Sequence, residues 1–161
     1  QRTITSEPHR GEIIEVEVPT YITGILNFDS GATGTIFTTF DVHYDTQARL
    51  EIYGAKGTLI VPDPNTFGGP IRLLRPEDGS YKEMPLCFDY PENSRGLGLA
   101  DMAKALQTGR DPRESWKQTL HVLEIMESFR TSSETGRVVS IESRYTRSAP
   151  MLNNPLHGIL D

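Results

Sequence analysis

Cysteine is nearly missing: Cys87 is the sole one in 161 residues, so no internal disulfide can form. That usage fits a reducing compartment, and the expected setting is the cytoplasm. Positive charge is also short, with 16 Lys and Arg against 22 Asp and Glu, a net charge of −6 and a pI near 5.2. A nucleic-acid surface needs a basic patch, and the one basic cluster, Arg137 to Arg147, is sparse and broken by Glu142. Nucleic acid is therefore excluded as an expected partner. No apolar run approaches the roughly 18 residues that a membrane span requires, and no leader pattern is present. The four histidines, His9, His43, His121 and His157, stand in no metal-ligand spacing. No internal repeat or low-complexity stretch occurs.

What is present reads as one α+β domain over residues 1–161. The composition, 36% hydrophobic and 24% charged, is that of an ordinary globular chain. Ile14, Val16 and Val18 alternate with Glu15 and Glu17, so residues 12–18 read as a strand that Pro19 ends. Strands over 21–28 and 33–42 follow, joined by the turn Asp29-Ser30-Gly31-Ala32. Leu50 and Ile52 alternate with Glu51 and Tyr53, Gly54 and Gly57 bracket Ala55-Lys56, and Thr58–Val61 returns to Pro62. This is a hairpin whose glycines supply positive-φ positions. Ile71–Leu74 and Ser80–Met84 form another across Pro76-Glu77-Asp78-Gly79. Links this short make the pairing mostly antiparallel.

The period changes after Gly96. Leu97, Ala100, Ala103 and Leu106 space a helix of about three turns, closed by Thr108-Gly109. Asp111-Pro112-Arg113-Glu114 has the cap, first-position proline and capping-box acid of a second helix, which Gly136 stops. Its apolar face is Trp116, Leu120, Leu123, Ile125, Met126 and Phe129, with Trp116 in the core. Arg137–Ile141 reads as a last strand and 144–161 as an extended tail. The expected fold is an open, mostly antiparallel sheet with two main helices on one face. The other face carries Tyr, Thr and Phe, too apolar for a wet surface, and a subunit interface is its expected use.

Little of this patterning carries chemistry. Gly96-Leu97-Gly98 is no dinucleotide fingerprint, because Asp101 holds the third glycine position and no βαβ unit surrounds it. His121 sits at the edge of the helical polar arc near Lys117 and Glu124 and reads as a hydrogen-bonded structural histidine. Cys87 reads as a small apolar residue, with no base near it in sequence. His43-Tyr44-Asp45, where the strand pattern breaks, and Asn93-Ser94-Arg95, in the loop before the first helix, are the polar clusters left. Arginine there suits contact with carboxylates, phosphates or sugar hydroxyls.

Several stretches, in this order, resemble the C-terminal domain of the glucose–fructose oxidoreductase / inositol dehydrogenase (Gfo/Idh/MocA) family. They are Asn27–Ala32, Glu51–Leu59, Asn93–Asp101, His121–Glu124 and Ser132–Val139. The resemblance implies a two-domain NAD(P)-dependent oxidoreductase acting on sugars or polyols. A Rossmann domain would hold NAD or NADP, and the open sheet would make homo-oligomer contacts. It also implies a sugar or polyol as substrate, with His43, Tyr44, Asn93 and Arg95 on the substrate side. The family's Glu-Lys-Pro lysine and Asp-x-x-x-His pair have no match here, and neither has its Rossmann fingerprint. Because hydride transfer needs a held cofactor and a group to take the hydroxyl proton, the chain is expected to bind no cofactor or metal and to carry no catalytic residue. The opening Gln1-Arg2-Thr3-Ile4 lacks an initiator Met, so a fragment of a longer protein, inactive by itself, is expected. The alternative is a non-enzymatic module that uses the same fold to dimerise or to hold a ligand or partner.

Overall fold

The computed structural model describes residues 1–42, 49–88, 90–92, 94–152 and 160. The backbone gathers into two units, Gln1–Asp45 and Thr46–Asp161. Eight strands precede two helices in the order β1 (Arg2–Thr3), β2 (Ile13–Ile14), β3 (Tyr21–Asn27), β4 (Thr33–Thr39), β5 (Leu50–Gly54), β6 (Gly57–Val61), β7 (Ile71–Leu74), β8 (Lys82–Met84), α1 (Leu97–Thr108) and α2 (Trp116–Thr135). The class is α+β, every strand pairing antiparallel. Among the described residues the strands form three open sheets, β1-β2, β3-β4 and β5-β6-β7-β8.

In the first unit β1 pairs β2 through only two residue pairs. The strand expected over 12–18 is thus paired only at Ile13–Ile14, opposite a β1 that no alternation announces. The β3-β4 hairpin is in full register from Tyr21–Thr39 to Asn27–Thr33. Its turn closes where the Phe28 N–H donates to the Ala32 carbonyl, with Gly31 at φ +85°. Period 2 places Tyr21, Thr23, Ile25, Thr35 and Phe37 on one face. The Tyr21 and Phe37 rings meet edge-on at 5.3 Å, and Tyr21, Ile25 and Phe37 stay exposed. The opposite face, with Leu26 and Ile36, is half-buried.

In the second unit Leu50, Ile52, Leu59, Val61, Ile71, Leu73 and Met84 share one face of the four-stranded sheet, with Lys82 at its edge. Glu51, Tyr53, Thr58, Arg72 and Glu83 share the other with Ile60 and Leu74, and there the Tyr53 hydroxyl donates to Glu51 two residues away. The hairpin Ala55-Lys56 turns between the paired glycines Gly54 and Gly57. Only Gly57 takes a positive φ, +148°, so the positive-φ role falls to one of the two. A Cβ on Gly57 would also lie 2.4 Å from the Leu74 carbonyl oxygen, since β7 passes directly beside it.

Both helices end as their glycines require. Gly109 (φ 71°) and Gly136 (φ 63°) adopt the left-handed conformation and donate their N–H groups to Ala105 and Ser132. The start of α2 differs from the expectation. It opens at Trp116, and Ser115 is the N-cap, its hydroxyl accepting from the Lys117 N–H. Asp111 and Pro112 lie before the helix, and the Arg113 N–H donates to the Asp101 carboxylate. Trp116 consequently sits at the helix end, exposed, with the Lys117 ammonium 5.9 Å from its ring, and is not a core residue. Arg137–Ile141 forms no strand either; it runs back along α2 as an extended segment, and 144–152 likewise hold no helix or strand. Among the described residues no helix is long and apolar enough to cross a membrane.

Replacing Gly57 by Ala forces both a disfavoured φ and a backbone collision, so it should destabilise the fold by about 2 kcal/mol or more. Gly54→Ala, whose Cβ meets nothing closer than 3.7 Å and whose φ is not positive, should be neutral or stabilising by up to about 1 kcal/mol. Urea denaturation followed by circular dichroism distinguishes the two; equal midpoints would remove the special role of Gly57.

Candidate functional site

The polar chemistry of the second unit converges where α1 leads into α2. Asp101 lies on α1 and is 1% exposed, the single fully buried polar residue among those described. A buried carboxylate must be paired and hydrogen-bonded, and Asp101 is paired twice. Arg110 reaches it with both terminal nitrogens, at 2.6 and 3.3 Å. Arg113 donates its backbone N–H at 2.8 Å and its guanidinium at 2.5 Å. Burial alone would raise the Asp101 pKa; the bonds from Arg110 and Arg113 outweigh it and hold the carboxyl well below the usual range.

Arg113 extends the cluster to the segment after α2. Its Nε donates to the Ala149 carbonyl at 3.1 Å and its Nη2 to that of Pro150 at 3.4 Å. Ser148 returns a bond from its hydroxyl to the Arg113 carbonyl at 3.0 Å, and the Ser148 N–H donates to the Tyr145 hydroxyl at 3.1 Å. Farther along α2, Glu124 accepts the N–H groups of Glu142 at 2.7 Å and Ser143 at 2.9 Å. His121 Nδ1 lies 2.8 Å from the Ser143 hydroxyl. The Ser143 hydroxyl and these two N–H groups lower the Glu124 pKa, and His121 adds to the effect. His121 is a structural, hydrogen-bonded histidine, as its place on the polar arc implied.

Between the start of α2 and the returning segment lies a cleft of about 440 Å³ lined by Arg110, Asp111, Arg113, Lys117, Arg144 and Tyr145 among others. No run of sequence announced it, because its residues come from 110–117 and 144–149. The signal that could have found it is the pairing of Arg110 and Arg113 with a lone aspartate in an apolar helix. In the first unit, Asp41 accepts from the Thr20 hydroxyl at 2.7 Å and pairs with Arg2. Thr20 first and Arg2 second lower its pKa.

Of the residues assigned to the substrate side, His43, Tyr44 and Asn93 lie outside the described residues. Arg95 is exposed in the turn before α1. Cys87 is exposed, its thiol 3.8 Å from the Pro85 carbonyl. Among the described residues no group of three or more His, Cys, Asp or Glu could hold a metal ion. A nicotinamide dinucleotide is held at the carboxyl ends of parallel strands by a glycine-rich turn. Among the described residues every strand pairing is antiparallel, and these residues do not fit that cofactor.

Residues 2–60, from β1 through β6, match the family model of the GFO/IDH/MocA C-terminal domain. The chain is also similar to a D-xylose 1-dehydrogenase (NADP(+)) 2 of Haloferax volcanii, 29% identical over 132 residues. That likeness covers 78% of this chain and 38% of the relative. By both likenesses the chain is similar to a Gfo/Idh/MocA C-terminal domain. The Gfo/Idh/MocA match contains two of the stretches that carried the resemblance, Asn27–Ala32 and Glu51–Leu59. The chain therefore spans well under half the length of the curated relative it matches. No solved structure matches it.

The Asp101 cluster gives a direct test. Asp101→Ala leaves two arginines without their shared anion and should cost about 3 kcal/mol in urea denaturation, read from the fluorescence of Trp116. Since the folded pKa of Asp101 is depressed, its contribution is complete above about pH 4 and is lost as pH falls below that value. Asp101→Asn should flatten this acid dependence; an unchanged acid profile would remove Asp101 from the account.

Proposed function

We propose that this chain is the substrate-side and oligomerisation domain of an NAD(P)-dependent sugar or polyol oxidoreductase. The observation that carries the reading is the ordered family match, joined to a relative named for xylose oxidation with NADP. In this reading the cofactor, NAD or NADP, is held by a Rossmann domain outside these 161 residues, in a cytoplasmic enzyme. His43, Tyr44, Asn93 and Arg95 are the residues assigned to the sugar, since imidazole, phenol, amide and guanidinium groups all donate hydrogen bonds to hydroxyls. Residues 1–161 act in it as one C-terminal domain, inactive without its cofactor partner.

A second copy is the proposed occupant of the exposed β3-β4 face. Tyr21, Ile25 and Phe37 present aromatic and aliphatic surface there, flanked by threonines and free of charge.

Two outcomes follow from this reading. The isolated chain should give no saturable heat with NADPH in calorimetry, whereas the chain joined to a Rossmann domain should bind it; a micromolar complex with the isolated chain would sink the division of labour. The chain should sediment as a dimer or larger at tens of micromolar, roughly where weak specific interfaces still populate, and Phe37→Arg should make it monomeric. A strictly monomeric wild type would remove the proposed interface.

A further inference from the structure

Residues 137–143 run back along α2 without joining a sheet. Their burial alternates: Val139, Ile141 and Ser143 are half-buried, while Arg137, Val138, Ser140 and Glu142 are exposed. Period 2 is the pattern of an extended chain with one side against a surface. That surface is the arc of α2 holding His121, Glu124, Ile125, Ser128 and Phe129, all half-buried. Polar bonds pin the segment there. The Ser132 hydroxyl donates to the Arg137 carbonyl at 2.7 Å. The Glu124 carboxylate accepts the N–H groups of Glu142 and Ser143, one on each oxygen, and His121 meets the Ser143 hydroxyl. Farther on, Arg113 ties the carbonyls of Ala149 and Pro150 to the start of the same helix.

The helix does not depend on these bonds. α2 has its own backbone ladder, a cap at Ser115 and a left-handed close at Gly136. The segment has no ladder, and its backbone attachment is concentrated at Glu124. Segments with few backbone bonds open locally, at a free energy well below that of global unfolding. We infer that residues 137–143 form a strap that lifts from α2 while the helix stays folded, with Glu124 as its catch. Gly136 is the joint at one end, and the Arg113 tie holds the chain beyond the other. Closed, the strap lies over the arc that carries Ile125 and Phe129. Open, it adds these two side chains to Val122 and Met126, which are exposed beside them on the helix. The apolar surface that α2 shows is therefore set by the strap, an autoinhibitory cover supplied by the chain itself.

The test is amide hydrogen exchange on the full chain labelled with ¹⁵N. The amides of Glu142 and Ser143 should exchange at least about tenfold faster than those of Leu120 to Met126 inside α2, since the strap opens without the helix. Glu124→Ala removes both acceptor oxygens and should speed Glu142 and Ser143 by about tenfold or more, leaving the α2 amides and the circular dichroism spectrum unchanged. Alanine is the better helix former, so this substitution does not weaken α2 itself. Glu124→Gln keeps one acceptor oxygen and should give a smaller acceleration. Trypsin should cut after Arg144 faster in the Glu124→Ala variant than in the wild type. Three results would overturn the inference: Glu142 and Ser143 exchanging at the rate of the α2 interior; no acceleration of these two amides in Glu124→Ala; or an equal acceleration of the α2 amides in that variant.

Discussion

One buried carboxylate fixes the geometry of the helical half. Asp101 has almost no contact with water, so it can remain ionised only while donors surround it. Two of those donors come from Arg113, one from its backbone and one from its side chain. Around this pairing Pro112 stays outside α2, which opens at Trp116 after the Ser115 cap. The rest of the Arg113 guanidinium turns toward 149–150, where the segment after α2 comes back to the start of the same helix.

The second carboxylate that organises the fold, Glu124, explains an inversion on α2. A surface helix ordinarily buries its apolar stripe. Here the covered side holds His121, Glu124 and Ser128 along with Ile125 and Phe129, because Glu124 captures two backbone N–H groups of the returning segment. Trp116, Leu120, Leu123 and Met126, spaced by three and four residues, stay open. The aliphatic side chains of Leu50 and Ile52 on the four-stranded sheet are likewise exposed. The local polar bonds that hold these segments together are thus largely separate from the apolar side chains left exposed.

The strands were largely legible because their information is local. Period-2 alternation and a glycine turn suffice for β3 through β8, and positive-φ glycines mark the ends of both helices. β1 was invisible because two residues cannot show a period; its pairing to β2 is fixed by the turn at His9–Gly11 and by Ile4 bonding Glu12 and Gly11. The reading failed where a distant group intervened. Asp111-Pro112 carries every local sign of a helix start, yet α2 opens only at Trp116, after Arg110 and Arg113 have paired with Asp101 ten or so residues back. Val138 and Val139 read as strand, but Glu124 supplies the backbone acceptor farther along that segment, and no strand forms. The basic cleft was unreadable for the same reason, since it exists only once 144–149 has folded back. His43, Tyr44 and Asn93 rest on the resemblance alone.

The direction of the carboxyl pKa values bears on what these groups can do. Every aspartate or glutamate with a resolved shift, Asp41, Asp78, Asp101 and Glu124, is lowered. Each is held ionised by donors that the fold needs in place. A general acid or base for hydride transfer works best near the ambient pH, which asks for a carboxyl raised toward neutrality. These four are tuned the opposite way, each by donors on the segments it joins. Releasing any of them to move a proton would first give up those bonds, so their chemistry suits anchoring the backbone around them.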